Sequence, residues 1–383
     1  MKRCMPERTR ISLPTVLLIV VCVGFWGSGC EDDEGIVAPD VEDYVVTNAA
    51  ELAALTGLTT VTGDLTIEKS VDLNSLAGLD SLTAIEGSLK ILDNSNLASL
   101  DGLGKLATVG RELRIKGNGA LAGLQGLDNL SAVGNVRIET NGQLTNLDGL
   151  ASLETIDGWL HIRDNNSLID LEALSGLTAV NGDLFVNRND VLPSLEGFRN
   201  LITINGDLGI NDNDRLRNLN GLRRLTTVKG VWIGYEEVAT DGGQQFYYSG
   251  NDSLTSVQGL SQLTAIGGKV HICTNARLIS LEGLNNVTSI AGGLCIHNSP
   301  ALTSLQGLRS LVAIGGTLDI HANANLTTLG LGDLVAVDGD FWIMNNAELP
   351  TNQATSLRDQ VLVGEGIVGE IVICGNQGGA ACP

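Results

Sequence analysis

Residues 147–165, LDGLASLETIDGWLHIRDN, carry the pattern that most restricts what this chain can fold into. Leu147, Leu150, Leu153 and Ile156 fall at every third residue, Gly158 interrupts, and Leu160 and Ile162 then alternate before Asn165 closes the unit. A three-residue spacing followed by a two-residue one suits neither a long helix nor a long strand. It suits one coil of a solenoid, in which extended and tight-turn backbone leads into a short strand and each coil stacks on the one before.

The residue that closes the strand recurs as Ile67, Ile91, Ile115, Ile138, Ile162, Val186, Ile210, Ile233, Ile272, Ile296, Ile320, Ile343 and Ile373. The steps are 23 or 24 residues, except for 39 between Ile233 and Ile272 and 30 before Ile373. The expected fold is all-β: a single solenoid over 43–383, of about 13 coils, with short turns, little helix and an atypical capping coil at its start. At about 4.8 Å per coil the rod would be on the order of 60 Å long. A glycine stands near the start of nearly every strand, from Gly63 through Gly158 to Gly339, where the expectation is a corner that glycine alone turns without strain. Asparagine stands three residues after the strand-closing residue at 94, 118, 141, 165, 189, 213, 275, 323, 346 and 376. Its amide can bond to backbone groups left open at the turn, so these asparagines are expected to be structural. Asp93, Asp164, Asp212 and Asp214 in the same turns invite a calcium reading, but their offsets shift from coil to coil and the oxygens would not converge.

The unit L-x-x-L-x-G-L-x-x-L-x-x-I-x-G-x-L-x-I-x-x-N resembles that of the receptor L-domain family, relatives of the leucine-rich repeats, over residues 43 to about 376. The resemblance implies a right-handed β-helix-like solenoid used for ligand binding or wall integrity, with no catalytic motif to carry over. The chain departs from the family's receptors in having one uninterrupted array and no cysteine-rich module between two L domains, which removes a hormone-receptor role.

Aromatic residues make up only 3% of the chain, which suits a narrow aliphatic core better than the deep pocket of an enzyme. No HExxH, GxSxG or P-loop motif occurs, and no paired acids suggest a cleft, so an enzyme is not expected. The formal charge of −21 argues against a nucleic-acid partner.

Lys2, Arg3, Arg8 and Arg10 precede an apolar run from Ile11 to Trp26, and Gly27, Ser28 and Gly29 lead to Cys30. The run is shorter than the 18–20 residues of a membrane span and ends in small residues, as a secretory signal does. Small residues before a cysteine resemble a bacterial lipoprotein cleavage site, which would make Cys30 a lipidated first residue after a signal at 1–29. Gly27 stands where that motif has an aliphatic residue, so ordinary cleavage and an uncleaved anchor stay open. Residues 30–42, acidic and without periodicity, read as a tether. The expected place is the bacterial outer membrane or cell surface.

Function is more expected where the array breaks. The 39-residue step contains an insertion at 234–250, GYEEVATDGGQQFYYSG, which holds Tyr235, Phe246, Tyr247 and Tyr248. Strand alternation points Phe185 and Trp232 outward two coils apart, with Trp159 near them. Exposed aromatic residues would offer contact area to a protein or glycan partner, against the plainer reading of a loop that covers its own rings. A second break is chemical: three successive strands carry His271 and Cys273, Cys295 and His297, Asp319 and His321. The 24-residue step stacks Cys273, His297 and His321 in one column and His271, Cys295 and Asp319 in the next, so that zinc or copper ligation, a diagonal Cys273–Cys295 disulfide and incidental surface residues are all open. At the end of the chain residues 349–362 lack the repeat and could form a short helix, and Cys374 and Cys382 are expected to close a disulfide cap.

The resulting expectation is a non-catalytic, surface-anchored solenoid that binds a protein or glycan. Its rivals are a structural envelope spacer and a metal-binding surface protein acting through the Cys/His patch.

Overall fold

The computed structural model describes residues 42–382 apart from 241, 242 and 248, and within 236–240 and 243–247 it describes the backbone alone. Short parallel strands stack in chain order from Tyr44–Val46 to Ile371–Cys374 in one sheet of 16 strands, all but two of which lie on that path. Every strand-closing residue named above lies on it. The register is direct: Leu160 faces Leu184 and Ile162 faces Val186, which face Leu208 and Ile210 in turn. A one-residue slip would turn these aliphatic side chains outward, so burial fixes the register.

Two-residue strands just before the corner glycines pair with one another as well. Thr155–Ile156, Ala179–Val180 and Thr203–Ile204 form a three-stranded sheet, and a five-stranded one runs from Ala265–Ile266 to Gly366–Ile367. Leu147, Leu150, Leu153, Ile156, Leu160 and Ile162 are fully buried, as are their equivalents in the inner coils along one continuous core, while Leu58, Ile367 and Ile373 at its ends are partly buried. The fold is therefore a β-solenoid with little helix, as the repeat implies.

The asparagines form a buried ladder. Asn165 is typical: its Nδ2 donates to the Ile138 carbonyl at 3.0 Å, and its Oδ1 accepts the backbone N–H of Asn141 at 3.1 Å. The same pair of bonds recurs from Asn94 to Asn376. Ser70 and Ser299 take part through their N–H groups, which donate to Asn94 and Asn323.

The corner glycines are needed for a different reason from the one expected. Gly158 and its equivalents do not adopt a left-handed φ. A Cβ on Gly158 would overlap the side chain of Asn135 and press on the Gly134 carbonyl, and one on Gly87 would overlap the Gly63 carbonyl. Close stacking of coils excludes a side chain there. The left-handed turn lies elsewhere, two residues after the strand-closing residue, where Lys69, Asp93, Thr140, Asp164, Arg188, Asp212, Thr274, Asn298, Ala322 and Asn345 have φ between +51° and +60°. Three of the aspartates that invited calcium are thus turn residues, a conformation that aspartate tolerates.

Both ends of the array are covered. At the start, Asn48 caps the helix Ala49–Ala54 by accepting from Ala50 and Glu51 N–H at 3.0 Å. Near the other end the expected helix is present as Thr351–Val363, with Ala354, Leu357 and Val361 buried on one face. Cys374 and Cys382 form the expected disulfide, with Cα atoms 4.9 Å apart. The signal at 1–29, Cys30 and all of the tether but its last residue lie outside the described residues. Among the described residues no helix is long and apolar enough to cross a membrane.

Candidate functional site

Direct register turns the outward positions of the long sheet into columns. The column one residue before each strand-closing residue reads Arg137, His161, Phe185, Gly209, Trp232, His271, Cys295, Asp319 and Trp342. Trp159, Trp232 and Trp342 are three of the four tryptophans in the chain, so the aromatic residues kept out of the core are gathered on this face. Their rings touch. Trp159 lies 4.4 Å from His161, which stacks on Phe185 at 4.8 Å, and the Arg137 guanidinium sits 4.6 Å over the Trp159 ring. Phe185 and Trp232 occupy one column two coils apart, as expected, with Gly209 between them. A Cβ on Gly209 would overlap the Phe185 ring, which leans across that space.

His161 was not singled out by the sequence, although it shares the offset of Phe185 and Trp232 and that offset would have found it. Burial, aided by the positive charge of Arg137, pushes its imidazole down to about 4. It is therefore a neutral ring in a stack at neutral pH.

The insertion is a β-hairpin, Glu236–Thr240 paired antiparallel with Gly243–Tyr247. It leaves the array after Ile233 and returns at Asn251, a ladder residue that the altered spacing concealed. Asn213 N–H donates to Asn251 Oδ1 at 3.1 Å, and Asn251 Nδ2 donates to the Ile210 carbonyl at 2.9 Å. Tyr235 is not the exposed contact residue expected. Only 7% of it is exposed, because its ring stacks on Trp232 at 5.2 Å and His271 at 4.7 Å while its N–H donates to Asn211 Oδ1 at 2.8 Å. It forms part of the hairpin's foot. Phe246 and Tyr247 lie on the second hairpin strand, where only the backbone is described, and Tyr248 lies outside the described residues.

The aromatic column continues into the Cys/His patch through Trp232 and His271, whose rings are 4.6 Å apart and nearly parallel at 2°. Both expected columns are present: His271, Cys295 and Asp319 pair across three strands, as do Cys273, His297 and His321. Convergence, however, runs diagonally. One ligand atom each of His271, Cys273 and Cys295 lies within 4.8 Å of the others, which joins the two columns. His297 and His321 stack on each other instead, with centroids 4.6 Å apart, and His321 Nδ1 meets Asp319 Oδ1 at 2.7 Å. That bond to Asp319 raises His321 above the ordinary imidazole value. Cys273 and Cys295 are both free thiols. Cys273 is wholly buried, which pushes its thiol up, whereas Cys295 is held down by hydrogen bonds from Cys273, His271 and His297. When protonated, Cys295 donates to Asp319 Oδ2 at 3.7 Å.

A depression of about 400 Å³ lies elsewhere, against Asn220, Gln258, Ser261 and Glu282, none of which belongs to the long sheet.

Residues 262–361 match the family model for the receptor L domain. Over that stretch the chain is similar to the receptor L-domain family. The stretch includes the strands from Val270–Cys273 to Phe341–Met344 and hence the whole Cys/His patch, and the coils outside it repeat the same unit in register. No curated protein matches the chain. One solved structure, "Crystal structure of TLR13-ssRNA13 complex", is 13% identical, and the match covers 82% of this chain and 56% of that one at a TM-score of 0.23. This chain thus spans little more than half of that protein's length, and a superposition so loose carries no argument about a ligand.

Proposed function

We propose that this chain is a non-catalytic recognition solenoid, anchored at a bacterial surface through lipid on Cys30, which binds a protein or glycan along the outer face of its long sheet. The observation that carries this reading is the half-buried ring face of Trp159, His161, Phe185 and Trp232, bordered by a hairpin that the repeat does not need. Rings stacked in a rigid sheet present apolar area with little rotamer entropy left to lose, as contact residues at binding sites do. The receptor L-domain match supports a ligand-binding rather than an enzymatic role.

The test is crosslinked capture from envelope material by the full chain and by two variants. One carries Trp159→Ala, Phe185→Ala and Trp232→Ala together, and the other lacks 236–248. Each aromatic contact at the centre of an interface is worth about 2 kcal/mol, so the triple variant should weaken binding at least about 100-fold while circular dichroism stays that of the parent. Capture that survives protease treatment of the envelope identifies a glycan, and capture that does not identifies a protein. Equal capture by all three proteins would refute the assignment of the face, and absence of fatty-acid label that depends on Cys30 would refute the anchor.

A further inference from the structure

From His271, Cys273 and Cys295, with His297 as the fourth donor, we infer a zinc site on the outer face of the long sheet. Four features of the patch carry this assignment, and none depends on the proposed recognition role. First, two sulfurs and an imidazole nitrogen from adjacent strands already lie within 4.8 Å of one another, so binding needs only side-chain rotation. Second, His271 Nδ1 is buried and has no hydrogen-bond partner among the described residues. Such an atom costs about 1–3 kcal/mol when left unpaired, and ligation would satisfy it. Third, His297 pairs directly with Cys273 across the two strands and is buried, so that it is the next donor beside the cluster. Fourth, Cys273 and Cys295 remain free in a protein whose other described cysteines, Cys374 and Cys382, are joined.

The donor set decides the ion. Two thiolates and two imidazoles form a four-coordinate, soft-to-borderline shell, which suits zinc, whereas calcium and magnesium require oxygen ligands. Zinc would replace the thiol protons of Cys273 and Cys295, which leave to solvent, and the two thiolate charges would balance those of the ion. Asp319 and His321 form the outer layer. Asp319 faces Cys295 on one side and is bonded to His321 on the other, which limits the rotation of the sulfur and offsets the carboxylate charge. Trp232 closes the other side by stacking flat on His271. The rigid sheet thus fixes ligands that come from two neighbouring coils, Val270–Cys273 and Leu294–His297.

The test uses the full chain, purified without a histidine tag and loaded with zinc or cobalt. Elemental analysis should find one zinc per chain, and the cobalt form should show thiolate charge transfer and the strong visible bands of tetrahedral Co(II). Cys295→Ser and His271→Ala, both at partly exposed positions, should abolish stoichiometric binding. Asp319→Asn should weaken it about tenfold as an outer-layer change, and Thr140→Gly, at a turn several coils away, should leave it unchanged. Because Cys273 is fully buried, its own variant could fail to fold and is not needed. A chain that takes up no zinc, a Cys295→Ser variant that retains it, a cobalt form without thiolate bands, or a Cys273–Cys295 disulfide in a non-reducing peptide map would each overturn the site.

Discussion

Replacing Asn165 by alanine tests how much the ladder holds the rod together. The side chain is fully buried and makes five bonds: it donates to Ile138 O, Arg163 O and Asn189 Oδ1 at 3.0, 2.9 and 3.4 Å, and accepts from Asn141 N and Nδ2 at 3.1 and 3.2 Å. Not all of these leave a group stranded. Asn141 Nδ2 keeps the Ile115 and Glu139 carbonyls, and Asn189 Oδ1 keeps the Asn165 N–H. The Asn141 N–H loses its acceptor, whereas the Ile138 carbonyl loses its amide donor but stays in the strand ladder with the next coil. One stranded buried group gives an expected loss of about 1–3 kcal/mol. Urea denaturation would measure the total, and hydrogen exchange would locate it. In an array whose coils touch only their neighbours, the Asn141 amide should lose protection while that of Asn346 changes little. Asn165→Ser should be milder, since Ser70 and Ser299 already occupy ladder positions. A loss below about 1 kcal/mol, or faster exchange spread evenly along the chain, would refute the view that the ladder fixes neighbouring coils through buried backbone groups.

Two further outcomes follow from the geometry. The folded-state pKa of His161 lies near 4 against 6.5 for the free side chain, so the unfolded chain takes up the proton first as pH falls. Stability is complete above the unfolded value and is lost between about 6.5 and 4, by about 2–3 kcal/mol after allowance for partial exposure. In His161→Phe that part of the pH profile should be flat by chemical denaturation, and an unchanged slope would show that other groups produce it. Thr140 holds a β-branched side chain at φ +60°, where each coil makes its left-handed turn. Thr140→Gly should stabilise the protein by about 1 kcal/mol net of glycine's extra unfolded-state entropy, and a lower melting temperature would contradict strain at that turn.

The coil was legible because burial repeats. Leu147 through Ile162 are spaced by the turn of the backbone, and Asn165 follows at a fixed offset, so residue identity alone exposed core and ladder together. Glycine identity did not reveal its cause. At Gly158 the reason lies in the coil before, at Gly134 and Asn135, which a reading along one chain cannot see. The left-handed turn residues escaped altogether, because lysine, aspartate, threonine, arginine and alanine in one structural position leave no chemical signature.

The site was legible in part for the same reason. Register followed from the 24-residue step, so the two Cys/His columns could be written down from the sequence. Which members converge depends on rotamers and on the slant between strands, and these bring Cys273 toward Cys295 and set His297 on His321. Tyr235 belonged to the insertion, whose fold the repeat does not constrain, so the stacking that buries it against Trp232 and His271 could not be anticipated.

The hairpin's point of attachment has a consequence for how such a rod can vary. Asn213 and Asn251 are 38 residues apart, and Asn346 and Asn376 are 30 apart, where their other counterparts are 23 or 24 apart, yet the bond is 3.1 Å in both, as elsewhere in the ladder. The array thus counts coils and is indifferent to the length of chain between a strand's last residue and the next asparagine. That joint behaves as a socket. Chain can be inserted or removed there without disturbing the stacking above or below, so new surface can be added while the core and its hydrogen bonds stay as they are.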